Sequence, residues 1–358
     1  MKILLLAGEE SGMIYARGLR AKLSGHDVRG YQDYGFETSD LAVMGFGAVI
    51  RRIPFFMRVK RTMERAIDEW RPDVVCTIDY PGMNLKLAAY AKSRGIRAVH
   101  VVCPQVWAWR QGRIPKVEAA LDELCCFFPF EPSLFRPGFA TFVGHPLAKD
   151  PSFASSRGGE SAADPLVAIL PGSRAGEIER ILPVLLDAVR MVKGARFAIP
   201  AANERAYALI SDIARRSNVL DRVETRLGGA RELLKTAKCA AVASGTATLE
   251  AALARCPTVL VYRVGAVLAA FARRVIKGTK YIGLANIVWE RCGGVGDAPP
   301  MPELLQEDFT AEAVSAVLMK WLSDEAARKE AVSRLDETVR HLDSPGDPLA
   351  NIVAIITR

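Results

Sequence analysis

Long hydrophobic runs are missing from this sequence. No apolar stretch reaches the roughly 18–20 residues that a membrane-spanning helix needs. The apolar run at 3–7 is too short for the core of a signal peptide, and Glu9 and Glu10 follow it almost at once. It is better explained as a buried first strand. We therefore expect a cytoplasmic protein unless something holds it to a surface.

Residues that bind metals or form disulfides are few and poorly spaced. The four histidines, His26, His100, His145 and His341, show no metal-ligand spacing. The seven cysteines form no Cys-x-x-Cys pair, and their odd number favours reduced thiols. The glycine motifs Gly-x-Gly-x-x-Gly and Gly-x-x-x-x-Gly-Lys-Ser/Thr are absent as well, which disfavours NAD binding and P-loop hydrolysis. We expect neither a metal nor a cofactor.

Basic residues, in contrast, are in excess: 48 Lys and Arg against 40 Asp and Glu, a formal charge of +8. They alternate with large apolar residues at 51–61 and 267–280. This mixture suits a membrane interface better than a nucleic acid, for which no motif is present. The alternative is a core helix with a solvated basic face. Four residues of the first stretch are predicted to touch a membrane: Phe55, Phe56, Met57 and Arg58.

Short apolar strands alternate with helical patterns twice along the chain, which indicates two parallel sheets covered by helices on both faces. In the first half, strands are predicted at 3–7, 74–78, 98–102, 124–128 and 141–143. In the second half, they are predicted at 166–170, 196–199, 223–225, 239–242 and 258–261. A charged helical tail is predicted at 312–340.

A polar stretch rich in Gly and Ser, 151–164, predicts a linker between the halves. The predicted fold is α/β, with two Rossmann-like domains at 1–150 and 165–358, and we leave open that the last helices pack back on the first domain. Open α/β sheets bind ligands at the carboxyl ends of their strands, so we expect the ligand site in a cleft between the domains.

Two strand-to-helix loops of the second half predict a pyrophosphate site. At 171–177 (PGSRAGE), small residues would bring backbone N–H groups close to an anion, and Arg174 would neutralise it, with Glu177 in the first turn of the helix. The alternative is an ordinary capped helix. Ser244, Gly245 and Thr246 form a second such loop, and Glu250 would accept hydrogen bonds from ribose hydroxyls.

Two loops of the first half carry weaker signals. Ser11 and Gly12 follow the first predicted strand and permit a tight turn before a helix. Asp79 ends the apolar run Val74–Ile78, where rigid backbone would hold a carboxylate as general base for a hydroxyl. Capping of the next helix by Asp79 or Asn84 is the competing interpretation.

The order of the motifs resembles that of the lipid-A-disaccharide synthases, a family of GT-B glycosyltransferases. The match covers almost the whole chain, and its most specific element is Val-Trp-Ala-Trp-Arg-Gln at 106–111, because two tryptophans in one loop are rare. The other matching segments are Gly8-Glu9-x-Ser11-Gly12, 41–45, Ile78-Asp79-x-Pro81 with Asn84, 129–131, 144–146, 170–174, 244–247 and 302–306.

This resemblance implies an inverting, metal-independent enzyme at the inner membrane. It would join UDP-2,3-diacylglucosamine to 2,3-diacylglucosamine 1-phosphate (lipid X), giving a β(1→6)-linked disaccharide 1-phosphate and UDP; a homo-oligomer is left open. Asp79 matches the family's proposed base. The donor residues would be Arg174, Glu177, Ser244, Gly245, Thr246, Glu250, Asn286 and Gln306. Residues on the acceptor side would be Ser11, Gly12, Asn84, Trp107 and Arg110.

Departures from the family pattern all fall in the first half, the acceptor side. They are Met13, Gly82, Met83, Cys103, Gln105 and a shortened stretch at 30–41. Two other interpretations stay open. One is a different UDP-sugar enzyme of the same fold, such as a 2-epimerase or the peptidoglycan N-acetylglucosaminyltransferase, which copurification with acylated lipid would disfavour. The other is a non-catalytic relative that binds UDP-sugar or lipid, which a turnover assay would detect.

Overall fold

The chain divides into two compact units, Met1–Pro146 with Leu342–Arg358, and Leu147–His341. The computed structural model describes residues 1–37, 41, 52–108, 111–153, 165–265, 269, 274, 278–294 and 298–358, without the side chains of Glu10 and Ser11. Most of the predicted linker, 154–164, therefore lies outside the described residues, while 147–153 belongs to the second unit.

The first unit is built on a parallel sheet with the strand order β2-β1-β3-β4-β5-β6 among its described residues. The strands are β1 (Lys2–Ala7), β2 (Asp27–Arg29), β3 (Val74–Ile78), β4 (Arg97–Val101), β5 (Glu123–Cys126) and β6 (Ala140–Phe142). β3 is buried at every position, as expected of a central parallel strand with helices on both faces. The chain reverses its direction of travel across the sheet between β1 and β3, so this pair marks a topological switch point.

Helices cover both faces of this sheet. They are α1 (Glu10–Lys22), α2 (Ile53–Trp70), α3 (Pro81–Ser93) and α4 (Ile114–Ala120). Leu19 of α1 and its C-cap residue Leu23 pack against one face, on which Ile3, Leu5 and Cys76 lie. α2 packs on the opposite face with Val59, Met63 and Ile67. A short 3-10 helix at Tyr31–Tyr34 follows β2 and contributes Tyr31 to the second of these cores.

The second unit repeats the plan with the order β12-β11-β10-β7-β8-β9 among its described residues. The strands are β7 (Leu166–Leu170), β8 (Arg196–Ala201), β9 (Val223–Leu227), β10 (Cys239–Ala243), β11 (Thr258–Tyr262) and β12 (Glu303–Leu305). The helices are α5 (Ala175–Met191), α6 (Glu204–Arg216), α7 (Ala230–Thr236), α8 (Thr246–Leu253), α9 (Leu284–Arg291), α10 (Ala311–Ser323) and α11 (Glu325–Leu342). This is the doubly wound order of dinucleotide-binding sheets, with its switch point between β7 and β10.

The last helix, α12 (Pro348–Ile356), belongs to the first unit although it follows the second in the chain. Ile352, Ile355 and Ile356 are buried in the core that α1 also covers. Gly18 permits the close approach of α12, since a Cβ there would lie 2.6 Å from Leu349 Cδ1. The sequence analysis left open that the last helices pack back on the first domain. Of these helices, only α12 belongs wholly to the first unit, whereas α10, and α11 up to His341, lie in the second unit.

Each of the ten predicted strands overlaps a strand of the structure, so the α/β prediction with two Rossmann-like sheets is confirmed. The prediction missed the edge strands β2 and β12, which are three residues long each. Among the described residues, no helix is both long and apolar enough to cross a membrane.

Candidate functional site

The switch point of the second sheet brings together the two loops predicted to bind a pyrophosphate. The loop after β7 leads into α5, and the loop after β10 leads into α8. Because β7 and β10 are neighbours in the sheet, both loops leave its carboxyl edge side by side. Parallel α/β sheets bind their ligands at this position.

The first loop depends on Gly172, which has a φ of +107°. A Cβ at this position would also lie 2.7 Å from Glu177 Oε2, so both conformation and space require glycine. Arg174 is the N-cap residue of α5 and lies 3.0 Å from Glu177 Oε1. The guanidinium is therefore held beside the free N–H groups of the first turn, where an anion is stabilised.

The second loop depends on Gly245, whose φ of +149° is one that residues with a side chain rarely adopt. The following turn is closed by Thr248, whose hydroxyl donates to Gly245 O at 2.8 Å. Ser244 Oγ donates to Ile282 O at 3.4 Å. The loop thus presents the N-terminus of α8 at the same sheet edge as that of α5, and the two helix ends supply N–H donors to one place.

Glu250, the predicted ribose acceptor, is held by an arginine that sequence reasoning missed. Arg231 Nε donates to Glu250 Oε1 at 2.8 Å, and Arg231 Nη1 donates to Asp150 Oδ2 at 2.7 Å. Partial burial alone would raise the pKa of Asp150, but hydrogen bonds from Ser152 and Arg231 outweigh it and lower that pKa. Arg231 therefore fixes the orientation of the Glu250 carboxylate.

A cavity of about 710 Å³ joins these groups. Its lining includes six of the predicted donor residues: Arg174, Glu177, Ser244, Gly245, Thr246 and Glu250. It also includes Gly228, Gly229 and Ala230 at the start of α7, so a third helix N-terminus faces it. Gly228-Gly229 before a helix was the available sequence signal for this part. A volume of this size accommodates a nucleotide.

The two remaining donor candidates lie elsewhere in the second unit. Asn286 is fully buried; its Nδ2 donates to Met301 O and to Glu303 Oε1, both at 2.8 Å. The amide of Gln306, in the orientation that satisfies both its ends, pairs with the backbone N–H and C=O of Val264 at 3.3 and 3.2 Å. Neither residue lines the cavity, and both brace backbone near β11 and β12.

In the first unit, the switch point places the loop after β1 against the turn after β3. Tyr80 packs over Gly8, where a Cβ would lie 2.5 Å from Tyr80 Cδ1. Gly12 lies at the end of β3, since a Cβ there would be 3.4 Å from Ile78 O. Asp79 is half-buried beside them, and its Oδ1 accepts the N–H of Tyr80 at 2.8 Å. The loop that contains Gly12 and the turn that contains Asp79, both predicted for the acceptor side, therefore lie next to each other.

Two other acceptor-side candidates are buried. Asn84 is fully buried in α3, and 2% of the surface of Trp107 is exposed. Trp107 Nε1 donates to Glu131 Oε1 at 3.1 Å, and the N–H of Phe128 donates to Glu131 Oε2 at 3.1 Å. Burial raises the pKa of Glu131 to about 8. Trp107 therefore supports its loop from inside. Arg110 and the side chain of Ser11 lie outside the described residues.

One group of side chains could hold a metal ion. Ligand atoms of Cys103, Cys126 and Glu131 all lie within 4.8 Å of one another, and all three residues are buried. Burial raises the pKa of Glu131. The pKa of Cys103 is raised by its hydrogen bond with Cys126 and by burial. Burial raises the pKa of Cys126 as well. These directions favour the protonated forms of the three groups.

The predicted membrane residues differ in exposure. Phe55 and Phe56 are half-buried and pack against the core beneath α2, whereas Met57 and Arg58 are exposed. Ile53, which was not predicted, is as exposed as Met57, at 48%. The outer face of α2 therefore presents Ile53, Pro54 and Met57 together with basic residues.

Two doubly wound units, one with a cavity that faces three helix N-termini, define an α/β protein of the GT-B fold class. Solved structures agree on the fold. A UDP co-structure of MnaA from S. aureus matches with a TM-score of 0.62 at 12% identity, covering 99% of this chain and 95% of that one. The spinosyn rhamnosyltransferase SpnG, complexed with thymidine diphosphate, gives a TM-score of 0.59 at 14% identity, over 99% and 100%.

Sequence comparison shows the particular family: the chain belongs to the lipid-A-disaccharide synthases. The model of the family described as lipid-A-disaccharide synthetase matches residues 3–345. The lipid-A-disaccharide synthase of Chromohalobacter salexigens is 34% identical over 361 residues, 93% of this chain and 91% of that protein. The lipid-A-disaccharide synthase of Anaeromyxobacter dehalogenans is 35% identical over 375 residues, which are 97% of this chain and 95% of that protein. The protein is thus a glycosyltransferase of lipid A biosynthesis.

Proposed function

We propose that this enzyme transfers a 2,3-diacylglucosamine unit from its UDP derivative to the 6-hydroxyl of 2,3-diacylglucosamine 1-phosphate, with inversion at the anomeric carbon. The products would be the β(1→6)-linked disaccharide 1-phosphate and UDP. The observation that carries the proposal is the cavity of the second unit, where six residues of the two predicted donor loops line one volume.

The donor side must stabilise the charge that develops on UDP as it leaves. Arg174 supplies a full positive charge, and the first turns of α5, α7 and α8 supply N–H donors fixed by the fold. Donors held in place before the reaction stabilise developing charge without reorganisation. Glu250, oriented by Arg231, would accept the ribose hydroxyls.

The acceptor side must remove a proton from the attacking hydroxyl. Asp79 is a half-buried carboxylate at the end of a fully buried strand, so its backbone is firmly held. In the proposed reaction its carboxylate takes the hydroxyl proton as the oxygen attacks the anomeric carbon. At Gly82, one of the departures from the family pattern, a Cβ would meet no described atom within 4 Å, so glycine is not required there for steric reasons.

The acyl chains of both substrates make a membrane surface the natural place for the reaction. Helix α2 offers exposed Ile53 and Met57 beside Arg58 and Arg61, a combination suited to an anionic interface. We therefore place the enzyme at the inner membrane as a peripheral protein.

The test is direct. Purified protein is incubated with UDP-2,3-diacylglucosamine and lipid X, and the product is identified by mass spectrometry, with the anomeric configuration read from proton coupling in NMR. A β-linked disaccharide 1-phosphate is expected, whereas UDP-N-acetylglucosamine should give no product. UDP binding without disaccharide would point to a non-catalytic relative. Epimerisation of UDP-N-acetylglucosamine would replace the proposal by an epimerase function.

A further inference from the structure

The turn that carries Asp79 has an unfavourable backbone. Asp79 and Tyr80 both have a φ of +51°, in the left-handed region that residues with a side chain rarely adopt. Two such residues in succession persist only where the surroundings enforce the conformation. Something in the first unit must therefore hold this turn in place.

Asn84 is placed to do so. Its Nδ2 group donates to Asp79 O at 2.7 Å, to Ile78 O at 3.0 Å and to Leu6 O at 3.3 Å. These carbonyls belong to the turn, to the end of β3 and to neighbouring β1. One fully buried amide thus joins the turn to both strands of the switch point.

Tyr31 fixes the orientation of that amide. The Tyr31 hydroxyl donates to Asn84 Oδ1 at 2.8 Å, and Tyr31 is itself fully buried. Burial raises the pKa of Tyr31, so its hydroxyl keeps its proton and remains a donor. With Oδ1 occupied in this way, Nδ2 must face the carbonyls.

We propose that Asn84, oriented by Tyr31, is the positioning residue for Asp79: it holds the strained turn so that the carboxylate meets the incoming hydroxyl. The inference rests on the proposed role of Asp79 as base. It differs from direct acceptor binding by Asn84, because a fully buried amide with all these partners has no surface to offer a substrate. It also differs from ordinary helix capping, because the three carbonyls precede the helix and lie on the turn and on two strands.

A comparison of hydroxyl deletions gives the first test. Tyr31→Phe removes the bond that orients Asn84, and we expect kcat to fall roughly 2- to 10-fold, the equilibrium worth of one hydrogen bond. Tyr34→Phe is the matched control. Tyr34 lies in the same 3-10 helix, and its buried hydroxyl has no hydrogen-bond partner among the described residues. KM for both substrates and the affinity for UDP should stay unchanged in both variants. Equal kcat values for Tyr31→Phe and Tyr34→Phe would overturn the proposal.

A double-mutant cycle gives the second test. Asn84→Ala should lower kcat by about 10²-fold, as a displacement near the reacting atoms does. In an Asp79→Asn background, the same substitution should change kcat less than about 3-fold, because the group that it positions is already lost. Losses that multiply in the double variant would show that Asn84 affects turnover independently of Asp79. A fall in melting temperature with normal kcat for the folded protein would show that Asn84 acts only on stability. Either result would overturn the proposal.

The cycle also separates this inference from the proposed function. Near-normal turnover of Asp79→Asn would remove Asp79 as base, and with it the role that Asn84 serves. A large effect of Asp79→Asn together with no effect of Asn84→Ala would keep the proposed function and overturn the positioning role alone.

Discussion

Arg174 stands at the N-cap of α5, and 60% of its side-chain surface is exposed although Glu177 lies 3.0 Å away. An ion pair this exposed adds little to stability, so the guanidinium can turn to a phosphate at small cost. We expect Arg174→Ala to weaken UDP binding by about 1.5–3 kcal/mol, the worth of a charge-assisted hydrogen bond. Turnover should slow as well, with an unchanged melting temperature.

Isothermal titration calorimetry with UDP measures this effect. Arg190→Ala is the matched control, since Arg190 lies in the last turn of the same helix, away from the cavity. Equal UDP affinity in the Arg174 and Arg190 variants would contradict the assignment of the donor loop.

Asp79→Asn separates the roles of base and cap. Asn cannot take the hydroxyl proton, but its side-chain oxygen can still accept the N–H of Tyr80 as Asp79 Oδ1 does. We expect turnover to fall roughly 10²–10⁴-fold while melting temperature and UDP affinity stay close to those of the parent. Turnover within a few-fold of the parent would leave Asp79 a purely structural residue.

Among individual residues, the sequence predicted two loops that line the cavity of the second unit, but not which residues only support backbone. Arg174 and Glu250 follow strands whose ends meet at a switch point, and strand order makes such positions predictable. Trp107 occurs in the most specific motif of the resemblance, and Asn286 was implied by the resemblance, yet both are buried and brace backbone. Burial depends on packing between elements distant in sequence, which a motif does not contain. Arg231 was missed for the same reason, since Asp150 lies 81 residues away.

Among the elements, α2 carries two different apolar faces. Phe55 packs edge-on against Phe36 at 6.1 Å, whereas Ile53 and Met57 point outward. We expect the double variant Ile53→Ser, Met57→Ser to bind anionic vesicles roughly 10-fold or more weakly, because about half of each side chain would otherwise be buried in lipid. Its melting temperature should not change.

Vesicle sedimentation measures this binding. Met319→Ser is the matched control, since Met319 is 42% exposed on α10 of the second unit. Phe55→Ser should instead lower the melting temperature. Unchanged sedimentation of the double variant would remove α2 from the membrane contact.

The buried carboxyl of Glu131 accepts a hydrogen bond from Trp107 and so joins the loops that carry these two residues. An unfolded Glu titrates near pH 4.3, whereas burial raises the pKa of Glu131 to about 8. Between these values the folded protein keeps a proton that the unfolded chain has lost, so the free energy of unfolding falls as the pH rises. We expect Glu131→Gln to flatten this decline.

Melting temperatures across that window, for Glu131→Gln, the parent and the exposed control Glu69→Gln, provide the measurement. The parent and Glu69→Gln should lose stability more steeply than Glu131→Gln. Parallel curves for all three would show that Glu131 does not titrate in this window.

Elements with a strong hydrophobic pattern were predictable from the sequence, and those without one were not. β3 and β10 are buried along their whole length and appear in the sequence as continuous apolar runs. β2 (Asp27–Arg29) is a polar edge strand of three residues, and α7 (Ala230–Thr236) is a single short helix. Such pieces are defined by pairing and packing with distant neighbours, not by their own pattern.

For the whole molecule, α12 links the end of the chain to the core of the first unit. Ile352 is fully buried between α1 and the sheet, and Arg97 donates to the carbonyl of Ile356 at 3.0 Å. Ile352→Ala should lower the free energy of unfolding of this unit by about 2–5 kcal/mol through the cavity that it leaves. UDP affinity should persist, because all the described residues that line the cavity of the second unit lie in Leu147–His341.

Chemical denaturation and calorimetry on the same samples check both expectations. Val353→Ala, at a partly buried neighbouring position, should cost less. Loss of UDP affinity in folded Ile352→Ala would show that the donor cavity depends on the first unit.

The position of α12 also sets an order of events at the ribosome. Domains generally fold as they emerge, N-terminal domain first. Here the first 146 residues emerge without the helix that covers Leu19, Leu23 and Ile3, and that helix is translated only after the whole second unit. The first unit of the nascent chain therefore has an uncovered apolar face until α12 is translated. The second unit is continuous in sequence and can fold before that point. We expect the ribosome-bound chain to gain UDP affinity before its N-terminal half resists protease, the reverse of the order of synthesis.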